Sequence, residues 1–133
     1  NHLCLEITER CGSLPQSVIK ETVLFLKKFG IKFAIDDYGT GSASSSMALN
    51  LPMDEIKIDM SFIRDIIENK KKQMMVQSIV DFANAVHVKT CLEGVADEKL
   101  EEYLRTYGAS WFQGYYYSKS VSAEDLIKMI YLQ

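Results

Sequence analysis

Short apolar runs alternate with longer amphipathic segments along the whole chain. The apolar runs are bounded by turn residues and predict five strands, at residues 3–8, 32–37, 55–59, 88–95 and 109–117. The remaining segments carry apolar residues at helical spacing and predict helices at residues 15–29, 44–49, 61–68, 72–86, 97–107 and 122–132. This strand–helix order predicts an α/β fold with parallel strands, right-handed crossovers and helices that cover the sheet. We find no linker or internal repeat and expect a single domain.

Each predicted strand also carries a charged or amide residue near its C-terminal end, on the side opposite its apolar alternates. These residues are Glu6, Asp36, Lys57, Glu93 and Gln113, and Asp37 follows Asp36 directly. In a parallel barrel, inward residues at the C-terminal ends of strands converge in one mouth. Carboxylates at the end of a buried strand are costly without a positive partner, and hard divalent cations prefer oxygen ligands. The pattern therefore predicts a metal site that handles a phosphate ester.

Each of these residues also has a simpler interpretation when taken alone. Glu6 or Glu93 could be a solvated rim residue, Lys57 a structural ion-pair partner, and the two aspartates a cap for the following loop. The recurrence of the arrangement in all five strands favours a common site. An aldolase-like enzyme with Lys57 as a Schiff base is a weaker alternative, because neighbouring carboxylates would raise the pKa of that lysine.

The composition excludes several classes of function. With 133 residues, 47% hydrophobic and 25% charged, the chain has an ordinary globular composition. The net charge of -3 gives no electrostatic footprint for DNA, RNA or an anionic membrane. No apolar run approaches the roughly 20 residues of a membrane span. Three cysteines without CxxC spacing predict a reducing cytoplasmic location and no zinc site. A longer protein that contains this chain could still carry a membrane anchor in another segment.

Several motifs, in order and in strand context, resemble the EAL-domain family of cyclic di-GMP phosphodiesterases. They are residues 5–9 (LEITE), 35–41 (IDDYGTG), 57–59 (KID), 93–95 (EGV) and 112–115 (FQGY). The resemblance covers nearly the whole chain. It implies a partial TIM-like barrel of five parallel strand–helix units. Residues 1–133 would then be the C-terminal part of a single EAL-type domain, without the N-terminal strands that carry the Glu-Ala-Leu motif.

The resemblance also implies what the site residues do. Mg²⁺ or Mn²⁺, two ions in an intact site, would serve the hydrolysis of cyclic di-GMP to the linear dinucleotide. Lys57 would hold or polarise the attacking water, and Glu93 would share in catalysis. The implied metal-site residues are Glu6, Asp36, Asp37 (mainly for the second ion), Glu93 and Gln113. The implied supports of the loop over the site are Glu9, Gly39, Thr40 and Gly41.

Three departures from the family pattern change these expectations. The Glu-Ala-Leu motif is absent, residues 42–45 read SASS where the family usually has Tyr-Ser-Ser-Leu, and Ala96 stands where the family usually has Glu. We therefore expect this chain alone to be inactive. The alternative function is a degenerate EAL domain that acts as a non-catalytic cyclic di-GMP receptor or a protein-interaction module. Five strands cannot close a barrel, so we also expect covered sheet edges, for example by self-association.

Overall fold

The five predicted strands form one parallel sheet in a computed structural model, which describes residues 3–8, 14–40 and 44–131, with backbone only at 44 and 45. Their order in the sheet follows their order in the chain, and every neighbouring pair is parallel. The strands are β1 (Cys4–Ile7), β2 (Lys32–Tyr38), β3 (Glu55–Ile58), β4 (Lys89–Glu93) and β5 (Trp111–Gln113). The predicted α/β class and parallel topology are confirmed.

Helices connect the strands, and polar side chains cap several of their first turns. The helices are α1 (Gln16–Lys27), α2 (Ser44–Asn50), α3 (Met60–Ile63), α4 (Lys70–Ala85), α5 (Glu98–Arg105) and α6 (Ala123–Tyr131), with a short 3₁₀ helix at Ile66–Glu68. Asn69 caps α4 and Asp97 caps α5 by accepting backbone N–H groups. In the described part of the chain, no helix has the length and apolar character needed to cross a membrane.

The two faces of the sheet differ as the alternation predicts. Apolar residues at paired positions, such as Ile35 opposite Ile56 and Ile58 opposite Leu92, are fully buried. They pack with helix residues such as Val80 in one hydrophobic core. The other face carries the polar side chains of the predicted site. Burial of the apolar face therefore directs Glu6, Asp36, Lys57 and Glu93 to the opposite face.

Two predicted elements differ from the structure. The predicted strand 109–117 contains only β5, because Gly114 begins a turn that holds the three tyrosines after it. The predicted helix 61–68 is interrupted, because Arg64 is extended and Asp65 has a left-handed backbone with φ of 60°. The structure separates this segment into α3 and the 3₁₀ helix.

Both ends of the sheet expose apolar surface. β1 and β5 are the outermost of the described strands. Phe25 of α1 and Phe29, which follows that helix, lie edge to face with ring centroids 5.3 Å apart, yet both are exposed. None of the described side chains of α6 is buried, and its Ile127 and Ile130 are exposed. These surfaces fit a sheet that is continued by further structure.

Candidate active site

Lys57 stands at the centre of the polar face. Its Nζ lies 2.8 Å from Glu6 Oε1, 2.8 Å from Glu93 Oε1 and 3.6 Å from Asp36 Oδ1. These partners come from β1, β4 and β2, and the lysine itself comes from β3 between them. The predicted convergence of residues from separate strands is therefore present, and the lysine side chain is almost completely buried by it.

An irregularity in β2 places the two adjacent aspartates together. Ile35 pairs with Ile56 and Tyr38 pairs with Ile58, so β2 has one more residue than β3 over this stretch. Asp37 takes up the extra residue with φ of 53°, a left-handed conformation that Asp tolerates better than most residues. Strict alternation would have sent Asp36 and Asp37 to opposite faces. The bulge instead keeps both near the site and returns Tyr38 to the core.

Oxygen atoms of Asp36, Asp37 and Glu93 lie within 4.8 Å of one another. Three carboxylates at this spacing fit a hard divalent cation, which takes several oxygen ligands at 2.0–2.6 Å. Glu6 instead faces Lys57. Gln113 is the register partner of Glu93 on β5 and is exposed at the rim. The donor set therefore fits a divalent ion centred on the two aspartates and Glu93.

Electrostatics fixes the charge of Lys57. Burial alone would lower its pKa, but hydrogen bonds to Glu6 and Glu93 outweigh burial and raise this pKa above its ordinary value. Burial raises the pKa of Glu93, and Lys57 offsets part of that rise. A Schiff-base lysine must lose its proton, so the raised pKa of Lys57 argues against the aldolase-like alternative.

A groove of about 470 Å³ opens beside this cluster, at the C-terminal ends of β3, β4 and β5. Its walls include Asp59, Met60, Arg64, Ala96, Gln113 and Tyr115, and Glu93 joins it to the carboxylate cluster. Met60 and Arg64 are not among the residues predicted from the sequence. Their signal in the sequence is their place in the segment that follows β3, where the loops of parallel sheets surround the site.

The loop after β2 supports the cluster as far as the structure describes it. The Oγ1 of Thr40 donates to the carbonyl of Asp37 at 2.8 Å, which braces the left-handed residue. Gly39 has φ of 98° and lies against Phe62, whose ring a Cβ would approach to 2.9 Å. The predicted supports Glu9 and Gly41 lie outside the described residues.

Gly114 shapes the groove by a close approach of two backbones. The N–H of Val95 donates to the carbonyl of Gln113, and the N–H of Tyr116 donates to the carbonyl of Val95, both at 3.1 Å. A Cβ on Gly114 would lie 2.1 Å from the Val95 carbonyl oxygen. Only glycine permits this contact.

We expect Gly114→Ala to lower the free energy of unfolding by about 3 kcal/mol, because the backbone of Val95 must move. Urea unfolding followed by circular dichroism measures this change. Gly108→Ala is the matched control, because that glycine has φ of 75° and a Cβ there would have no atom within 4 Å. This variant should lose only the cost of a left-handed backbone at alanine, about 1 kcal/mol. Equal losses in the two variants would contradict the role of the close approach.

Comparison with known proteins agrees with this geometry. A family model of the EAL domain matches residues 1–120. The chain is 34% identical over 113 residues to cyclic di-GMP phosphodiesterase PdeB of Shewanella oneidensis, covering 85% of this chain and 13% of that protein. It is 30% identical over 130 residues to the bifunctional diguanylate cyclase/cyclic di-GMP phosphodiesterase MucR of Pseudomonas aeruginosa, covering 98% and 19%.

Solved structures of EAL-family proteins are also similar to this chain. The PaMucR phosphodiesterase in its c-di-GMP complex has a TM-score of 0.84 at 31% identity, over 94% of this chain and 51% of that one. The EAL domain of Mycobacterium smegmatis DcpA has a TM-score of 0.89 at 31% identity, over 95% and 56%. These domains are TIM-like barrels. The chain thus spans a small part of the curated relatives and about half of these solved structures.

Proposed function

The chain belongs to the EAL domain family, and from that premise we propose that it forms the C-terminal part of a single EAL-type domain that hydrolyses cyclic di-GMP to the linear dinucleotide. The observation that carries the proposal is the buried Lys57, held by carboxylates from three strands beside the cluster of Asp36, Asp37 and Glu93. An ammonium and a divalent-ion site in one mouth suit an attack on a phosphate ester.

In the proposed mechanism, Asp36, Asp37 and Glu93 would hold Mg²⁺ or Mn²⁺. Glu6 and Gln113 would complete the site together with residues from other strands of the intact domain. When bound, the ions supply Lewis-acid activation of water and offset the charge on the phosphate oxygens. Lys57 orients the attacking water and donates a hydrogen bond to the phosphate. Glu93 would share in catalysis by accepting the proton that the water releases.

The groove next to Glu93 is the proposed place for part of the dinucleotide. Tyr115 offers an exposed ring for stacking on a base, and Arg64 offers a cation for a phosphate. Glu93 belongs to both the groove and the carboxylate cluster, so a ligand in the groove would present its phosphate at the proposed metal site.

A second candidate function is a receptor that binds cyclic di-GMP without hydrolysing it, or that binds only a protein. Ala96 favours this candidate, because it lines the groove without a polar group at a position where the family usually has a glutamate. Residues 42–45 favour it as well, since they lack the aromatic residue and leucine of the usual family loop.

The test is to incubate an intact EAL domain containing this chain with cyclic di-GMP and Mn²⁺ and to measure the linear dinucleotide. We expect product with Mn²⁺ and none when the metal is removed by EDTA. Binding without product would support the receptor, and neither binding nor product would leave the protein-interaction module. Product formation that EDTA does not reduce would contradict the metal-dependent mechanism.

We propose a different behaviour for residues 1–133 alone. They should give no turnover, and their exposed edges at β1 and β5 should associate with another copy. Light scattering of the isolated chain measures its mass, and a well-folded monomer with a closed barrel would contradict the association. Robust hydrolysis by the isolated chain would contradict the lack of turnover. We also propose a cytoplasmic location, which the free thiols of Cys4 and Cys91 suit.

A further inference from the structure

A buried carboxylate lies in α5 where an apolar residue would be expected. Glu101 is only 6% exposed and shares its helix with the fully buried Leu104. A buried carboxylate lowers stability unless charged or polar groups compensate it. Glu101 has two such partners: the Nη2 of Arg105 lies 2.5 Å from its Oε1, and the hydroxyl of Tyr117 donates to the same oxygen at 3.2 Å. This carboxylate is therefore satisfied, partly by a residue far along the chain from its own helix.

Tyr117 belongs to the turn that follows β5. The N–H groups of Tyr117 and Ser118 both donate to the carbonyl of Gly114, at 3.1 and 3.3 Å. At its start, the turn is fastened to Val95 by the two backbone hydrogen bonds described above. At its end, the Tyr117 hydroxyl bonds to Glu101. The turn is thus held at both ends, once by backbone and once by a side chain.

The wall of the groove lies at the start of this turn, where Tyr115 stands between the two residues that bond to Val95 and two residues before Tyr117. Tyr115 is 73% exposed and lines the groove together with Gln113. Its ring is otherwise contacted by the ammonium of Lys119, at 5.6 Å from the centroid, which does not bury it. The position of this exposed ring therefore depends on the attachments of the turn more than on packing around the ring itself.

We propose that Glu101 and Tyr117 form a latch that fixes the turn at residues 114–118 and thereby positions Tyr115 and Gln113 at the groove. Arg105 supports the latch by holding the carboxylate, and its guanidinium also lies over the Phe112 ring of β5 at 5.9 Å. Glu101 and Tyr117 are positioning residues that do not themselves touch the ligand. The part of this inference that concerns the ligand rests on the proposed function.

The test variant is Tyr117→Phe in an intact EAL domain containing this chain, because it removes only the hydroxyl. We expect backbone amide hydrogen exchange at residues 116–118 to accelerate about tenfold, the factor for loss of one hydrogen bond to a charged group, with exchange in β4 unchanged. With cyclic di-GMP as the substrate, KM should rise about three- to tenfold while kcat stays within about twofold. Tyr116→Phe is the matched control, and it should change neither exchange nor KM.

A second pair of variants separates the latch from general loss of packing. At residues 116–118, Glu101→Leu should reproduce the exchange of Tyr117→Phe, and the double variant should add nothing there, because both changes remove the bond between these two side chains. Unchanged exchange in Tyr117→Phe, exchange that rises across the whole domain, or a fall in kcat at constant KM would overturn the proposal. If the native domain neither binds nor hydrolyses cyclic di-GMP, the proposed function fails. Backbone amide hydrogen exchange at residues 116–118 would still test whether the latch holds the turn.

Discussion

Replacing Glu93 with glutamine is expected to lower cyclic di-GMP hydrolysis by an intact EAL domain containing this chain by about 10²- to 10⁴-fold. Glu93 is the residue that the carboxylate cluster, the ion pair with Lys57 and the groove have in common. Glutamine keeps the shape of the side chain but removes its charge and its capacity to accept a proton. Steady-state formation of the linear dinucleotide measures the rate, and calorimetric titration with Mn²⁺ should show at least about tenfold weaker binding.

The control for this variant is Glu55→Gln. Glu55 lies two residues before Lys57 on the same strand and face, but it is not one of the three clustered carboxylates. Glu55→Gln removes the same charge from the same side of the sheet but leaves the three clustered carboxylates in place. We therefore expect hydrolysis within about threefold of the native rate. Equal losses in Glu93→Gln and Glu55→Gln would indicate a general effect of the negative field. Full activity of Glu93→Gln would exclude it as catalytic residue and as metal ligand.

The sequence predicts the sheet and most of the cluster for one physical reason. In a parallel sheet covered by helices, alternating residues of each strand must be apolar to form the core. The polar residues at the remaining positions are then confined to the other face, and parallel strands bring their C-terminal ends to one edge. Glu6, Asp36, Lys57 and Glu93 follow from this argument, and the structure brings them together.

The features that sequence reasoning missed are set by contacts between distant segments. The bulge at Asp37 is defined by pairing with β3, and the alternation within β2 gives no sign of an extra residue. The turn at the three tyrosines looks like a continued strand because aromatic residues favour strands. It becomes a turn where Gly114 meets the backbone of Val95, almost twenty residues earlier. The groove depends on that contact.

Replacing Lys57 with methionine is expected to affect metal binding and catalysis in opposite directions. The ammonium of Lys57 contacts Asp36 and Glu93, which are two of the three carboxylates that fit a divalent ion. Its raised pKa keeps it charged at neutral pH, so it neutralises these carboxylates whenever no ion is bound. Methionine removes the competing charge, and we expect Mn²⁺ to bind about tenfold more tightly, equivalent to about 1.4 kcal/mol. Hydrolysis should nevertheless fall by about 10²- to 10⁴-fold, because the group that orients water and phosphate is lost.

Stability supplies an independent readout of the same variant. In EDTA, Lys57→Met leaves Glu6, Asp36 and Glu93 without their cation, and we expect unfolding to require about 2 kcal/mol less than in the native domain. Saturating Mn²⁺ should recover most of this loss, because the roughly tenfold tighter binding by the variant stabilises its folded state by about 1.4 kcal/mol more than that of the native domain.

Lys27→Met is the matched control for this rescue. Lys27 is paired with Asp54 at 2.7 Å, away from the carboxylate cluster. Its loss should cost about 1 kcal/mol that Mn²⁺ does not recover. Weaker Mn²⁺ binding by Lys57→Met would show that the lysine organises the carboxylates for the ion instead of competing with it. Lys57 would then assist metal binding in place of opposing it, and its proposed role in hydrolysis would be unaffected.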